Sequence, residues 1–335
     1  MQLESFGRRP KTPQYQKVDW WKGEDMYRLA AVVCVLVSVA LLASTVLADE
    51  SDLSEWAHTR WEAYVVEGPP ALSAALHADG GTVFMGTPWD GLYYGDDSEQ
   101  AWLQLQEKAK FHTLQVESER VLGEGNLVWG VLTMEGIRPD TDESLWLTLA
   151  SALVFDEEGR IMAEDVIVLD GLPSDTPAPI WDGTVNDEAY AHHLREDTTG
   201  MDLWWRNGLA VLVVGVRAAG TGWVSVGFDP ERMMQGADFV IGAVDDDGLT
   251  IEDHHGHAAT AHRKDDHQDI LAAGGNIDDG HTTLEFVVPL DSGDPQDNPL
   301  TPGESYTVLL AYHSSRTALT ARHTARGADT ITLDE

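Results

Sequence analysis

Two side chains in the C-terminal part of the chain have the chemistry of iron ligands. Met234 lies in the run Arg-Met-Met-Gln-Gly-Ala-Asp (232–238), and His323 lies in Arg-His-Thr-Ala-Arg-Gly (322–327). A thioether and an imidazole on one iron give a haem a raised potential that suits electron transfer. Because Cys34 is the only cysteine, the covalent Cys-x-x-Cys-His attachment is excluded. A haem in this chain would therefore be a non-covalent b-type haem.

Each of these residues has a rival of its own type and an ordinary alternative role. Met233 precedes Met234, and in an extended chain the two side chains would face opposite sides. His313 lacks the His-x-x-Arg-Gly pattern that follows His323. A core methionine and a surface histidine are the alternatives to a ligand pair.

A second group of candidate ligands lies in residues 253–269, where five histidines are interleaved with acids. Imidazole and carboxylate together suit zinc or copper. A long solvated loop is the alternative, and the one that we favour. The histidines are His254, His255, His257, His262 and His267.

The composition of the chain limits its partners. Its 335 residues carry a formal net charge of −36, yet 43% of them are hydrophobic, which excludes a disordered acidic tail. The chain resembles the acidic proteins of salt-loving microbes, of the haloarchaeal type, where salt screens self-repulsion. Nucleic acid is not an expected partner, because its phosphates would be repelled.

Residues 27–48 form one apolar run with Arg28 at its start and no other charge, which is long enough to cross a bilayer. Six Lys/Arg and four acids lie in the first 28 residues, while the rest of the chain is strongly acidic. The positive-inside rule then predicts a cytoplasmic segment 1–26, a single-pass anchor 27–48 in the cell membrane, and soluble domains on the extracytoplasmic side. Trp20 and Trp21 would lie at the membrane entry, or would dock onto a membrane partner.

Two alternatives to an uncleaved anchor remain open. Val46-Leu47-Ala48 resembles the cleavage site of a signal peptide, although 26 residues are long for the segment that precedes its apolar core. Arg8-Arg9 would suit a twin-arginine export signal, but Pro10-Lys11 follow where apolar residues are needed.

Residues 51–172 predict a first soluble domain in which helices precede strands. Helices are expected after Ser54, near Ala71–His77 and over 96–110. Strands separated by turn residues are expected at 82–86, 114–122, 127–137, 145–155 and 161–168. This order favours an α+β cone, with a sheet wrapped around helices.

The first domain resembles the NTF2-like (SnoaL-like) family in its order of elements and in short pieces of sequence. These pieces are Ala-Leu-His-Ala-Asp (75–79), Leu-Tyr-Tyr-Gly (92–95) and Phe-Asp-Glu-Glu-Gly-Arg-Ile (155–161). The resemblance implies an enzyme, a binding module or an inert scaffold. The residues that would carry acid/base chemistry are His58, His77, His112, Asp79 and Asp165. They show no paired arrangement, so we expect a scaffold or a partner-binding module.

Residues 173–180 are rich in Pro, Ser and Asp and predict a linker. Residues 181–335 then show many short apolar runs with turn residues between them, which favours an all-β sandwich of immunoglobulin-like type. Strands are expected at 203–205, 209–216, 223–228, 239–244, 249–252, 282–289, 306–312 and 330–333. The whole chain is thus predicted to be multidomain, with a transmembrane helix, a cone and a sandwich.

The sandwich resembles the DOMON family, seen in haem-binding cytochrome domains and their relatives. The matching pieces include Gly-Trp-Val-Ser-Val-Gly-Phe (222–228), Met-Gln-Gly-Ala-Asp (234–238), Thr-Thr-Leu-Glu-Phe (282–286), Asp297, and His323 with Arg326-Gly327. The resemblance implies that Met234 and His323 are the axial ligands of a haem b, although some members are thought to bind sugars. Trp223 and Phe228 would wall an apolar haem pocket, as would Phe239 and Phe286, and Arg326 or Arg322 would pair with a propionate.

The expected function is a membrane-anchored b-type cytochrome subunit that passes single electrons. Its partners would be membrane redox subunits of an extracytoplasmic respiratory or oxidoreductase complex, and it would not itself be catalytic. The main alternative is a haem-free accessory subunit that stabilises or docks a membrane complex. A surface protein that binds sugars or small molecules, and a tethered NTF2-like enzyme, also remain open.

Overall fold

The first described domain consists of two helices and a six-stranded sheet. The computed structural model describes residues 48–66, 72, 74–172 and 177–335. Its helices are α1 (Glu50–Val66) and α2 (Asp96–Lys108). Its strands are β1 (Leu76–Met85), β2 (Gly91–Tyr94), β3 (Lys110–Leu122), β4 (Leu127–Ile137), β5 (Ser144–Phe155) and β6 (Ile161–Asp170).

These six strands form the cone sheet, in the order β2-β1-β6-β5-β4-β3. Strands β3 to β6 form an antiparallel meander, and β1 pairs with β6 in parallel. Residues 72 and 74 are helical, as expected for the helix near 71–77, but β1 already begins at Leu76, so this helix ends before its predicted bound. The α+β cone expected of an NTF2-like domain is otherwise present.

Helix α1 fills the cone with one apolar face. Leu53, Ala57, Trp61 and Tyr64 recur at helical spacing, and each is at most 2% exposed. Asp49 caps the helix, since its Oδ1 accepts hydrogen bonds from the backbone N–H of Ser51 and Asp52 at 2.8 and 3.1 Å. Trp102 of α2 completes the filling, with its ring centroid 4.4 Å from that of Tyr64.

One buried ion pair lies inside the cone. The Arg60 guanidinium donates to both carboxylate oxygens of Glu164, at 2.8 and 2.6 Å. Tyr64 and Thr82 also donate to Glu164, and Glu164 is 0% exposed. Burial opposes ionisation, but the guanidinium and these donors prevail and hold the pKa of Glu164 below its usual value. The pair therefore remains charged in a site closed to water.

The second domain is a sandwich of two antiparallel sheets, preceded by a short 3₁₀ turn at Asp187–Ala189. The inner sheet has the order β14-β15-β9-β8-β7, and the outer sheet has the order β13-β12-β11-β10-β16-β17. The strands are β7 (His192–Arg195), β8 (Asp202–Asn207), β9 (Val211–Ala219), β10 (Val224–Phe228), β11 (Asp238–Asp245), β12 (Gly248–Ala258), β13 (Ala261–Lys264), β14 (Ala272–Asp278), β15 (His281–Pro289), β16 (Ser305–Tyr312) and β17 (Ala325–Thr332).

The two domains share a hydrophobic core, so the described chain is a stack of four layers. The helices cover one face of the cone sheet, and the inner sheet of the sandwich covers the other. Met85, Trp129 and Ile167 from the cone sheet pack in one cluster with Val213 and Val287 from the inner sheet. The opposite face of the inner sheet packs against the outer sheet.

Polar contacts fix the two domains in one register. Asp165 of β6 is 0% exposed, and its carboxylate accepts the backbone N–H groups of Leu209, Ala210 and Val211 at 2.9, 2.9 and 3.0 Å. Arg206 pairs with Asp90 at 2.7 Å. Residues 47–335 accordingly form one compact unit.

None of the helices in the described part of the chain has the length and apolarity needed to cross a bilayer. The predicted cytoplasmic segment 1–26 and nearly all of the predicted anchor 27–48 lie outside the described residues, as do residues 173–176 of the predicted linker.

Replacing Arg60 with Leu should lower the free energy of unfolding by about 3–5 kcal/mol, because Glu164 would remain buried without its countercharge. Urea unfolding of the purified protein measures this. Arg160→Leu is the control, since Arg160 forms ion pairs with side chains at the surface and is half exposed, so its loss should stay below about 1 kcal/mol. Equal losses would contradict a special role for the buried pair.

Asp165 should make stability depend on pH. Burial is the main cause that raises the pKa of Asp165 from its ordinary value of 3.8 to about 6, against the three backbone donors. The folded state therefore binds this proton more tightly, so stability contributed by Asp165 is complete below about pH 4 and is lost as the pH rises through about 6. Relative to Asp165→Asn, the wild type should lose on the order of 2–3 kcal/mol between pH 4 and 7. If the unfolding free energies of the wild type and Asp165→Asn changed equally with pH across that range, this prediction would be contradicted.

Candidate functional site

The face of the outer sheet that points away from the inner sheet carries a small apolar cluster. Trp223, which precedes β10, packs there with Ile241 and Ala243 of β11, and all three are buried. Leu319 and Ala321 fold back onto this cluster from the connection between β16 and β17. The indole Nε1 of Trp223 is buried and has no hydrogen-bond partner among the described residues.

A glycine in β10 makes room for an aromatic ring on the same face. Gly227 pairs with Phe239 across the ladder, and a Cβ at Gly227 would lie 2.3 Å from the Phe239 ring. The ring of His262 lies beside Phe239, with 5.7 Å between centroids, and His262 Nδ1 is 2.8 Å from His254 Nδ1. Burial is the main cause that lowers the pKa of His262 to about 4, so the ring is neutral at pH 7.

Met234 lies in the connection 229–237 between β10 and β11, and it is half-buried. Its backbone N–H donates to the Ala259 carbonyl at 3.3 Å. A Cβ at Gly256 would lie only 1.7 Å from the Met234 carbonyl oxygen, so this approach requires glycine. Met233, the rival ligand, has φ +56° and a side chain that is 47% exposed.

His323 lies in the connection 313–324 between β16 and β17 and is also half-buried. Partial burial, and then the charges of Arg326 and Arg322, lower the pKa of His323. The imidazole is therefore neutral near pH 7, the form that binds iron. Arg326 is exposed and pairs in register with Ala311, which packs in the Trp223 cluster.

The two connections that carry Met234 and His323 lie at opposite ends of β10. The Phe228 end pairs with the start of β11, next to the Met234 connection, and the Val224 end pairs with Tyr312, after which the His323 connection begins. The five residues of β10 separate these ends by roughly 14 Å. Only the His323 connection is seen to fold back over the face, through Leu319 and Ala321.

Phe228, expected to wall the haem pocket, lies on the other side of the outer sheet. It is 2% exposed and packs between the sheets with Val226 and Phe286. Side chains alternate between the two faces along a strand. Phe228 and Trp223 are an odd number of residues apart, so they face opposite sides of the sheet. The face near the ligands is formed instead by Trp223, Phe239, Ile241 and Gly227.

Residues 253–264 belong to a hairpin rather than to the solvated loop that the sequence favoured, and residues 265–269 follow it without strand or helix. Strand β12 runs to Ala258 and β13 pairs with it. The hairpin forms because alternating residues pack on both sides of the outer sheet, which places His254 beside Phe239 and makes it 6% exposed. His255 and His267 instead contact the carboxylates of Asp265 and Asp294, at 3.1 and 2.6 Å.

The structure also brings together acids that the sequence did not single out as a site. Carboxylate oxygens of Asp238, Asp253 and Asp297 all lie within 4.8 Å of one another. Burial, and then neighbouring carboxylates, raise the pKa of Asp238 and Asp297. In a chain with 57 acids, composition does not distinguish these three. The pairing of β11 with β12 brings Asp238 and Asp253 together, and Asp297 joins them from the connection after β15.

The candidate acid/base residues of the first domain are dispersed. His58 pairs with Glu119 at 2.7 Å on the surface, and His77 lies 3.8 Å from the exposed Asp79. Asp165 is occupied by backbone donors of the second domain. His112 on β3 is exposed. None of the five forms a catalytic pair with another across the cone.

Comparison with known proteins identifies the second domain. Residues 204–313 match the model of the DOMON domain, so the predicted DOMON domain is confirmed for this part of the chain. The class defined by the fold is thus a DOMON sandwich joined to an α+β cone.

Several solved structures show distant similarity. The cytochrome b domain of pyranose dehydrogenase from Coprinopsis cinerea is 10% identical, with a TM-score of 0.34 over 42% of this chain and 80% of that one. A putative isomerase from Bacillus subtilis is 10% identical, with a TM-score of 0.32 over 36% and 89%. A protein of ketosteroid isomerase-like fold from Catenulispora acidiphila is 16% identical, with a TM-score of 0.28 over 35% and 85%. At such scores the similarities carry no argument about chemistry.

Gly256→Ala should displace the connection that carries Met234, because the new methyl group would overlap the Met234 carbonyl. We expect a loss of about 1–3 kcal/mol in unfolding free energy and faster hydrogen exchange in residues 229–237. Gly123→Ala is the control, since a Cβ there meets only the flexible Glu50 side chain at 3.3 Å. Unchanged exchange in 229–237 would contradict the tight packing.

Proposed function

We propose that the second domain is a b-type cytochrome domain that passes single electrons. The observation that carries the proposal is that Met234 lies within the residues that match the DOMON domain and His323 lies ten residues beyond them, in the connections that precede β11 and β17. Thioether and imidazole are a ligand set for low-spin, electron-transferring haem. DOMON domains include cytochrome b domains, which supports the same role.

Individual residues fit the binding of a haem b. His323 is held in its neutral form, and Met234 is half-buried beside the hairpin of β12 and β13. Trp223 supplies an apolar floor and a buried N–H that lacks a partner among the described residues. Arg326, exposed in β17, would pair with a propionate. Met234 and His323 would hold the haem iron through a thioether and an imidazole, and a haem held by these two ligands would supply single-electron transfer.

The first domain is proposed to be a scaffold. Its interior is filled by Trp61, Tyr64 and Trp102, and Glu164 there is locked to Arg60. Its remaining sheet face is covered by the second domain. We further propose that residues 27–48 anchor the protein in the cell membrane, with residues 1–26 in the cytoplasm. The two described domains would then join membrane redox subunits on the extracytoplasmic side.

A haem-free accessory subunit is the second candidate function. It is favoured by one observation, namely that the connections bearing Met234 and His323 lie at opposite ends of β10. In that case the outer face would dock a protein partner in a membrane complex, without a cofactor.

The difference spectrum between reduced and oxidised protein tests the two functions. The purified protein, or the protein after haem addition, should show sharp low-spin b-type bands. Met234→Ala and His323→Ala should each abolish or shift these bands, because each removes one axial ligand.

Matched controls are Met233→Ala, which changes an exposed methionine, and His281→Ala, which changes the histidine that begins β15. His313 is unsuitable because its ring accepts the backbone N–H groups of Ser315 and Arg316. The controls should keep the wild-type spectrum. Protein that stays colourless after haem addition would refute the cytochrome and leave the accessory subunit.

A further inference from the structure

A pocket of carboxylates lies inside the sandwich at the Phe228 end of β10, on the opposite side of the outer sheet from the Trp223 cluster. Asp238 begins β11 in register with Phe228, and Asp253 lies on the neighbouring strand β12. Asp297 reaches the same place from the connection 290–304 that follows β15. Their carboxylate oxygens lie within 4.8 Å of one another.

Asp253 is buried, Asp238 and Asp297 are partly buried, and none of the three has a countercharge among the described residues. Asp253 is 3% exposed, and the Oδ1 atoms of Asp238 and Asp253 are buried without a hydrogen-bond partner among the described residues. The ion pairs formed within the described part of the chain involve none of the three. Like charges at this distance, shielded from water, would strongly destabilise the fold if they remained alone.

The protein holds the three groups in fixed positions and leaves a small space among them. Ser292 Oγ donates to Asp297 Oδ2 at 2.6 Å, and Asp269 N donates to Asp253 Oδ2 at 3.2 Å. The cavity between them measures about 10 Å³, which is room for about one water-sized sphere. It is further lined by Asp269, Ser292 and Asn298, with apolar Phe228, Val288, Pro289, Leu290 and Leu300 behind them.

We propose that Asp238, Asp253 and Asp297 bind one calcium ion inside the sandwich. The donors are carboxylate oxygens, which suit hard cations rather than zinc or copper. Calcium accepts six to eight oxygens in irregular geometry, whereas magnesium demands a near-ideal octahedron and retains waters. Asp269 and Asn298 are placed to supply further oxygens.

The ion would also stiffen the connection that carries Met234. Asn298, which lines the cavity, donates its side-chain N–H to the carbonyl oxygens of Asp229 and Gly236. Asp238 follows that connection directly. Calcium binding at this site requires no haem, so the calcium proposal can be tested independently of the cytochrome proposal.

Calcium binding can be measured on haem-free, full-length protein after treatment with EDTA. Calorimetric titration with CaCl₂ to about 10 mM covers dissociation constants up to the weak, millimolar range of extracellular calcium modules. About 1 M KCl should be present, because it shortens the Debye length to about 3 Å and suppresses unspecific binding to the acidic surface. We expect one ion per chain and, at free calcium near 100 times the dissociation constant, a roughly 100-fold rise in the folded-to-unfolded ratio.

Variants separate this site from general attraction of cations. Asp297→Asn should melt at or above the wild-type temperature without calcium, because a buried repulsion is removed, yet it should lose most of the gain with calcium. Asp253→Asn should likewise lose calcium binding. Asp246→Asn, an exposed residue of the turn between β11 and β12, should bind as the wild type does.

Three results would overturn the proposal. The first is the absence of both binding heat and a melting shift in the wild type. The second is full calcium binding by Asp297→Asn and Asp253→Asn. The third is magnesium, titrated as MgCl₂, binding in place of calcium.

Discussion

The rest of the described structure depends on the burial of one sheet face of the cone against one sheet face of the sandwich. Neither face is polar enough to stay in water, and together they form a core that belongs to both domains. The Asp165 carboxylate then fixes the register, since it satisfies three backbone N–H groups that would otherwise be buried without acceptors. With one face of the inner sheet held in this way, its opposite face is left to pack against the outer sheet.

The outer sheet separates two kinds of chemistry through the alternation of its strands. Trp223, Gly227 and Phe239 project to the outside, where the candidate haem ligands lie at either end. Phe228 and Asp238 project to the inside, where the acids meet. A shift of pairing by one residue would exchange the two sets. The same ladder of hydrogen bonds therefore positions both candidate sites.

Much of this fold is predictable from local sequence pattern, but the sites are less so. Strand β4 has the predicted bounds, 127–137, because its apolar run ends in clear turn residues. Strands β7, β13 and β14 were missed because they are short, polar or rich in glycine. The approach of Asp253 to Asp238, and the placement of Met234 and His323 at opposite ends of β10, follow from strand order, which no local pattern reveals.

The shared core has a consequence for synthesis. The cone is made first, and its face with Met85, Trp129 and Ile167 leaves the ribosome without the partner surface of Val213 and Val287. Until residue 287 has been translated, this apolar sheet is exposed to solvent and to other nascent chains. Export of the chain in an unfolded state, or protection by a chaperone during elongation, would prevent this apolar sheet from contacting other chains during that interval. The order of the domains in the gene thus places the greatest risk of aggregation midway through translation.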